Sequence, residues 1–175
     1  MKIVIAGSGE VGSHLAKLLS KEDHDIIVID RDRRRLLALD SYNLITHMGK
    51  PTSFQAMKYV GMRDCDLFIA VTPYETENVV ACSIAKSLGA RKTVARIDNY
   101  EFYNPENREY FEKAGVDDLI YPENLAAEEM LLALKHTWVR NWFELFNGEL
   151  IVVGVKLRGN SDLVNKVTRK IAYYK

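Results

Sequence analysis

The chain has 175 residues, 47% of them hydrophobic, and its 24 basic and 24 acidic side chains cancel to a formal net charge of zero. This length carries one α/β domain and a small appendage and falls short of two full domains. The charge balance excludes a net field that would gather nucleic acid or an anionic membrane, so nucleic acid is not an expected partner.

Residues 2–6 read as a buried strand that stops at Gly7-Ser8-Gly9-Glu10-Val11-Gly12, where an amphipathic helix over 11–19 begins. In such a turn the first glycine permits the bend. The second lets the backbone approach a pyrophosphate, and the third lets the helix pack on the strand, which leaves the phosphates on the helix N-terminus. Gly7, Ser8, Gly9, Glu10 and Val11 are therefore candidate nucleotide contacts. Residues 26–30 form a second apolar strand ending in Asp30, near the spacing at which an acid meets a ribose hydroxyl.

A short basic helix follows over 31–39. A third strand over 43–48 closes at Gly49-Lys50-Pro51, and Thr52 or Ser53 can cap a helix over 54–60. Residues 66–72 are the fourth strand, which runs through Pro73-Tyr74 and Glu75 into a helix over 79–88 stopped by Gly89. Residues 92–97 are the fifth strand, 107–114 a helix stopped by Gly115, and 118–121 the sixth strand. Regular alternation and continuously apolar strands imply a Rossmann-like doubly wound parallel sheet of six strands over residues 1–136.

Beyond it, a helix over 125–135 leads into an aromatic run that holds Trp138, Trp142, Phe143 and Phe146 and is expected to extend the helical crossover. With the sheet complete, a subunit interface is the expected use of these rings, the alternative being packing on their own domain. A strand over 149–157 and a helix over 162–171 follow. Residues 137–175 thus read as a crossover and the start of a further subdomain that the chain leaves incomplete.

Ligands of an open α/β sheet bind beyond the carboxyl ends of the strands at the switch in strand order. The candidates there are the glycine turn, Asp30 and Arg31, Gly49 and Lys50, Thr72, Pro73 and Tyr74, Asn78, and Arg96. Asp30 should accept from ribose hydroxyls and repel a 2′-phosphate. Arg31 would accept such a phosphate, stack on adenine, or stay in solvent. Arg96, a cation inside an apolar strand, either meets an anion at the crevice or forms a structural ion pair. Asn78 and Glu75 either contact ligand or cap the helix. No catalytic acid or base pairs with His14, His24, His47 or His136. Cys65 and Cys82 have no metal-ligand spacing, so neither catalysis nor a metal is expected.

These residues resemble the cytoplasmic nucleotide-binding domains that regulate potassium transport, known as KTN or RCK domains. The resemblance covers almost the whole chain. It rests on residues 1–12, on Val28-Ile29-Asp30 before a basic helix, and on Ala70-Val71-Thr72 followed by Glu75 and Asn78-Val79-Val80-Ala81-Cys82. It continues through Val94-Ala95-Arg96-Ile97, Leu119-Ile120-Tyr121-Pro122-Glu123 and the tail around Val155-Lys156-Leu157. It implies that Gly7 to Val11, Asp30, Thr72, Pro73 and Arg96 bind NAD, NADH or an adenine nucleotide such as ATP or ADP. It further implies a homodimer or tetramer formed through residues 138–146, and a membrane potassium channel subunit as partner. The chain would then lie at the inner face of the cell membrane. The competing expectation is the cofactor domain of an NAD-dependent oxidoreductase that lacks its substrate domain.

Overall fold

The apolar run Lys2–Ala6 forms β1, buried from Ile3 onward, and it sits in the middle of the sheet because it has partners on both sides. The structure is a computed structural model that describes residues 1–135, 139–146, 148–157, 159, 161 and 164. After β1 come α1 (Glu10–Leu19), β2 (Asp25–Asp30), α2 (Arg33–Leu37), β3 (Ile45–Met48), α3 (Phe54–Tyr59), β4 (Leu67–Ala70), α4 (Glu75–Ser87) and β5 (Lys92–Arg96). Then follow α5 (Tyr100–Tyr103), α6 (Arg108–Lys113), β6 (Asp118–Ile120), α7 (Pro122–Lys135), β7 (Val139–Leu145) and β8 (Leu150–Val155). Strands β1 to β6 are all parallel, in the order β3-β2-β1-β4-β5-β6.

Alternation along each strand gives the sheet two apolar faces. Ile3, Ile5, Ile26, Val28, Ile69 and Val94 pack with Ala16 of α1 and Leu36 of α2. Val4, Ile27, Ile29, Phe68 and Ala95 pack with Met57 of α3, Ala81 and Cys82 of α4 and Phe111 of α6. Ser53 accepts from the Ala56 amide at 3.4 Å and caps α3 as expected, and Asp32 accepts from the Arg34 amide at 2.9 Å and caps α2. Helix α4 starts at Glu75, four residues ahead of the sequence reading, directly after Pro73 and Tyr74. The short α5 was not anticipated.

The described chain divides into two units, Met1–Asn124 and Leu125–Lys175. In the second, the aromatic run expected to extend the helical crossover is instead a strand. β7 pairs antiparallel with β8 from Leu145↔Leu150 to Val139↔Val155, with an irregularity between Val139 and Asn141. The cause is legible in hindsight, because Asn147-Gly148 between two runs rich in β-branched and aromatic residues is a hairpin signal. Gly148 has φ of +88° and Phe146 of +53°. Trp142 donates from Nε1 to Glu144 at 2.9 Å, and the Phe143 and Phe146 rings are exposed. Trp138 and most of the helix expected over 162–171 lie outside the described residues.

Candidate functional site

Strand order reverses between β1 and β4, which leaves a crevice at their carboxyl ends. The turn after β1 is built by two glycines with no alternative. Gly7 has φ of +104°, and a Cβ at Gly12 would fall 1.8 Å from the Gly7 carbonyl oxygen, so α1 presses directly on the turn. Gly9 differs: the nearest heavy atom to a Cβ there is Arg35 Nη1 at 4.0 Å, so its outer surface is open. As N-cap of α1 it supplies no side-chain cap, and the first amides of the helix, at Glu10 and Val11, remain donors for an anion.

Asp30, at the end of β2, organises the neighbouring wall. Its Oδ2 accepts from the Ser8 amide at 2.6 Å and the Ser8 hydroxyl at 2.8 Å, and its Oδ1 accepts from the Asp32 amide at 2.8 Å. Burial works to raise the Asp30 pKa, but these hydrogen bonds and the nearby Arg35 charge together hold it below the ordinary carboxylate value. A carboxylate has about four acceptor positions. Three are used within the protein, so one on Oδ1 is open to a ribose hydroxyl.

Around this acid lies a groove of about 220 Å³ whose lining includes Gly7, Gly9, Asp30, Arg31, Thr72 and Pro73. Tyr74, a strand-end candidate, lines it too, and so do four residues that sequence reasoning did not propose as contacts: Asp32, Arg35, Pro51 and Glu77. Arg31 is hydrogen-bonded to Glu77, a residue of α4, in an ion pair joining two sides of the groove. The signal for Arg35 was available, since α2 starts just beyond Asp30 and brings its first turn back over the strand end.

Other candidates stand apart from the groove. Ser8 is buried beneath Asp30, and Gly49 donates its amide to the Asp30 carbonyl at 2.9 Å. Gly49 and Lys50 do not line the groove, where their neighbour Pro51 does. Asn78 is fully buried. Its Oδ1 accepts from the Thr72 amide at 2.9 Å and hydroxyl at 2.7 Å, and its Nδ2 donates to the Thr72 carbonyl at 3.0 Å and the Arg96 carbonyl at 2.9 Å. With its hydrogen-bonding positions filled by Thr72 and Arg96, Asn78 braces the backbone at the ends of β4 and β5. Glu75 accepts from the Asp98 and Asn99 amides and ties down the loop after β5.

Arg96 shares a sheet face with Val94, two residues before it, and its side chain therefore lines a second, larger groove of about 860 Å³ with Val11, Leu15, Ile69 and Ile120. Its guanidinium lies 3.9 Å from Glu123, a long ion pair to a half-exposed carboxylate. His14 lines that groove too, while His47 stacks on Tyr59 and His24 lies 3.3 Å from Glu22. Among the described residues no group of three or more His, Cys, Asp or Glu is arranged to hold a metal ion. Burial pushes the Cys65 thiol up to about 11 and that of Cys82 up as well, so both are inert thiols.

The sequence model of the TrkA-N domain matches residues 3–122. The Trk system potassium uptake protein TrkA of Haemophilus influenzae is 33% identical over 167 residues, which cover 94% of this chain and 36% of that protein. The chain thus spans about a third of the length of that relative. Among solved structures, the TrkA-N domain of the inner membrane protein ybaL from Escherichia coli aligns with TM-score 0.67 and 21% identity, covering 76% of this chain and 96% of that one. The GsuK channel bound to NAD aligns with TM-score 0.64 and 17% identity, over 83% of this chain and 25% of that one. These likenesses establish the fold.

Proposed function

We propose that this chain, which belongs to the TrkA-N domain family, is the nucleotide-sensing part of a potassium-uptake regulator. It binds NAD, NADH or an adenine nucleotide and passes occupancy to a membrane potassium channel through rearrangement of its subunits. The observation that carries the reading is the groove at the switch in strand order, where the open Gly9 surface and the free acceptor of Asp30 face one space and the first amides of α1 follow directly after Gly9. The adenosine half would occupy this groove, and the phosphates would cross Gly9 to α1. The second half of a dinucleotide would continue toward Arg96. Relatives named for potassium uptake, and an NAD-bound channel of the same fold, support this choice over other uses of a Rossmann sheet.

Regulation requires that the nucleotide favour one of two subunit arrangements, since a ligand shifts an equilibrium only by its differential affinity. The exposed rings of Phe143 and Phe146 on and beside the β7–β8 hairpin support a dimer or tetramer contact there. No helix among the described residues is long and apolar enough to cross a membrane, and we place the chain in the cytoplasm, held at the inner face of the membrane by its channel partner. Calorimetric titration with NADH and ATP tests the reading. Binding should weaken by about 1–3 kcal/mol in Asp30→Ala, the scale of a lost buried polar contact. Consumption of hydride with any small substrate would replace the regulator by an oxidoreductase cofactor domain.

A further inference from the structure

We infer that Arg35 is the phosphate-binding cation of the groove, its guanidinium taking a phosphate group of the bound adenine nucleotide. This rests on the nucleotide reading above and adds a residue to it. Arg35 lies on α2, yet its Nη1 is the nearest heavy atom to the space over Gly9, the one glycine of the turn whose outer side is open. The same side chain lines the groove with Asp30, so it stands between the acid that would take the ribose and the turn that would take the phosphates.

Its bonding leaves it available. The contact with Asp32 runs through Nε at 3.6 Å, longer than a hydrogen bond, and joins exposed residues three apart on one helical turn. Asp32 Oδ1 is itself spent on capping α2. Among the described residues the Nη donors of Arg35 have no hydrogen-bond partner, whereas Arg31 is bound directly by Glu77. Arg35 is thus the uncommitted fork of the pair, and a planar guanidinium with free Nη donors fits phosphate in two-point fashion. The carboxylate beside it does not repel the incoming anion at full strength, because three donors from Ser8 and Asp32 already neutralise part of its charge.

In the ligands of that reading the group within reach is the 5′-phosphate, and a 2′-phosphate, which Asp30 should repel, is the other source of the same chemistry. The experiment separates them: titration calorimetry of the full chain with adenosine, 5′-AMP and 2′-AMP, at low and high salt, for the wild type, Arg35→Ala and Arg35→Lys, with melting temperatures as a check on folding. Arg35→Ala should weaken at least one of the two phosphates by about tenfold or more, the scale of a charge-assisted hydrogen bond, while adenosine stays within about twofold. The phosphate affected identifies the position, its salt dependence should fall, and Arg35→Lys should lie between because it keeps the charge and loses the fork. Equal binding of both phosphates by wild type and Arg35→Ala overturns the inference. So does a loss as large for adenosine as for AMP, which would make Arg35 a wall of the groove. If the wild type binds none of the three ligands, the nucleotide reading itself falls and this inference with it.

Discussion

Asn78→Ala tests whether the site is braced from behind. The side chain is fully buried and makes four hydrogen bonds, two from its oxygen to Thr72 donors and two from its nitrogen to the Thr72 and Arg96 carbonyls. A net value of about 1 kcal/mol each would total about 4 kcal/mol. The Thr72 hydroxyl recovers part of this, because it already lies 3.3 Å from the Tyr74 carbonyl. The Thr72 amide has no such recourse, so about 3 kcal/mol is expected, against a typical total of 5–15 kcal/mol. Urea denaturation should show the fall in midpoint with an unchanged slope. Asn78→Asp sharpens the test. An ionised carboxylate cannot donate to either carbonyl, so the folded state favours the protonated acid and raises its pKa. The stability it retains is then fullest below the unfolded value of about 3.9 and is lost as pH rises through the folded one. Its deficit relative to wild type should widen from pH 4 to pH 8. A loss under about 1 kcal/mol for Asn78→Ala, or a deficit for Asn78→Asp that is flat with pH, would refute the bracing role.

Gly12→Ala places a methyl on the Gly7 carbonyl and should cost about 3 kcal/mol or more, with loss of soluble yield and of nucleotide binding; a circular-dichroism melt checks it. Asp117 is held by Lys86 at 2.7 Å and by the Thr93 amide at 2.7 Å. Although burial alone would raise its pKa, these partners leave it lowered. The stability it contributes is present above the unfolded pKa and lost as pH falls through the depressed one, so Asp117→Asn should be less stable at pH 7 and should flatten the acid limb of the stability curve. Trp142→Ala should shift a dimer toward monomer in sedimentation, and an intact dimer would count against the hairpin as an interface.

The sheet was legible because continuous apolar runs and glycine stops are local signals: β1 and β3 to β6 lie within the runs read from sequence, β2 begins one residue ahead of its run at Asp25, and Gly89 and Gly115 end their helices with φ of +112° and +87°. Helix α5 was missed because Asn99 and Asn104 resemble loop residues until their side chains are seen accepting from Glu101 and Glu106. The aromatic hairpin was misread because bulk drew attention away from Asn147-Gly148. At the site, strand ends were legible and side-chain direction was not. Arg96 stands at its strand end as read and, on the sheet face it shares with Val94, lines the larger groove, while Arg35 reaches the smaller groove from α2, beyond the strand-end residues that were read.

Because β1 is a central strand, the site depends on chain that is distant in sequence. Its other edge is closed only when β4 arrives: the Lys2 amide reaches the Asp66 carboxylate across 64 residues at 2.9 Å, and the Gly7 turn packs on Val71 and Thr72. Contacts of such separation form late and slowly, since loop closure must precede them. During synthesis the first βαβ unit therefore emerges with one flank of β1 bare until Leu67–Ala70 has paired with it.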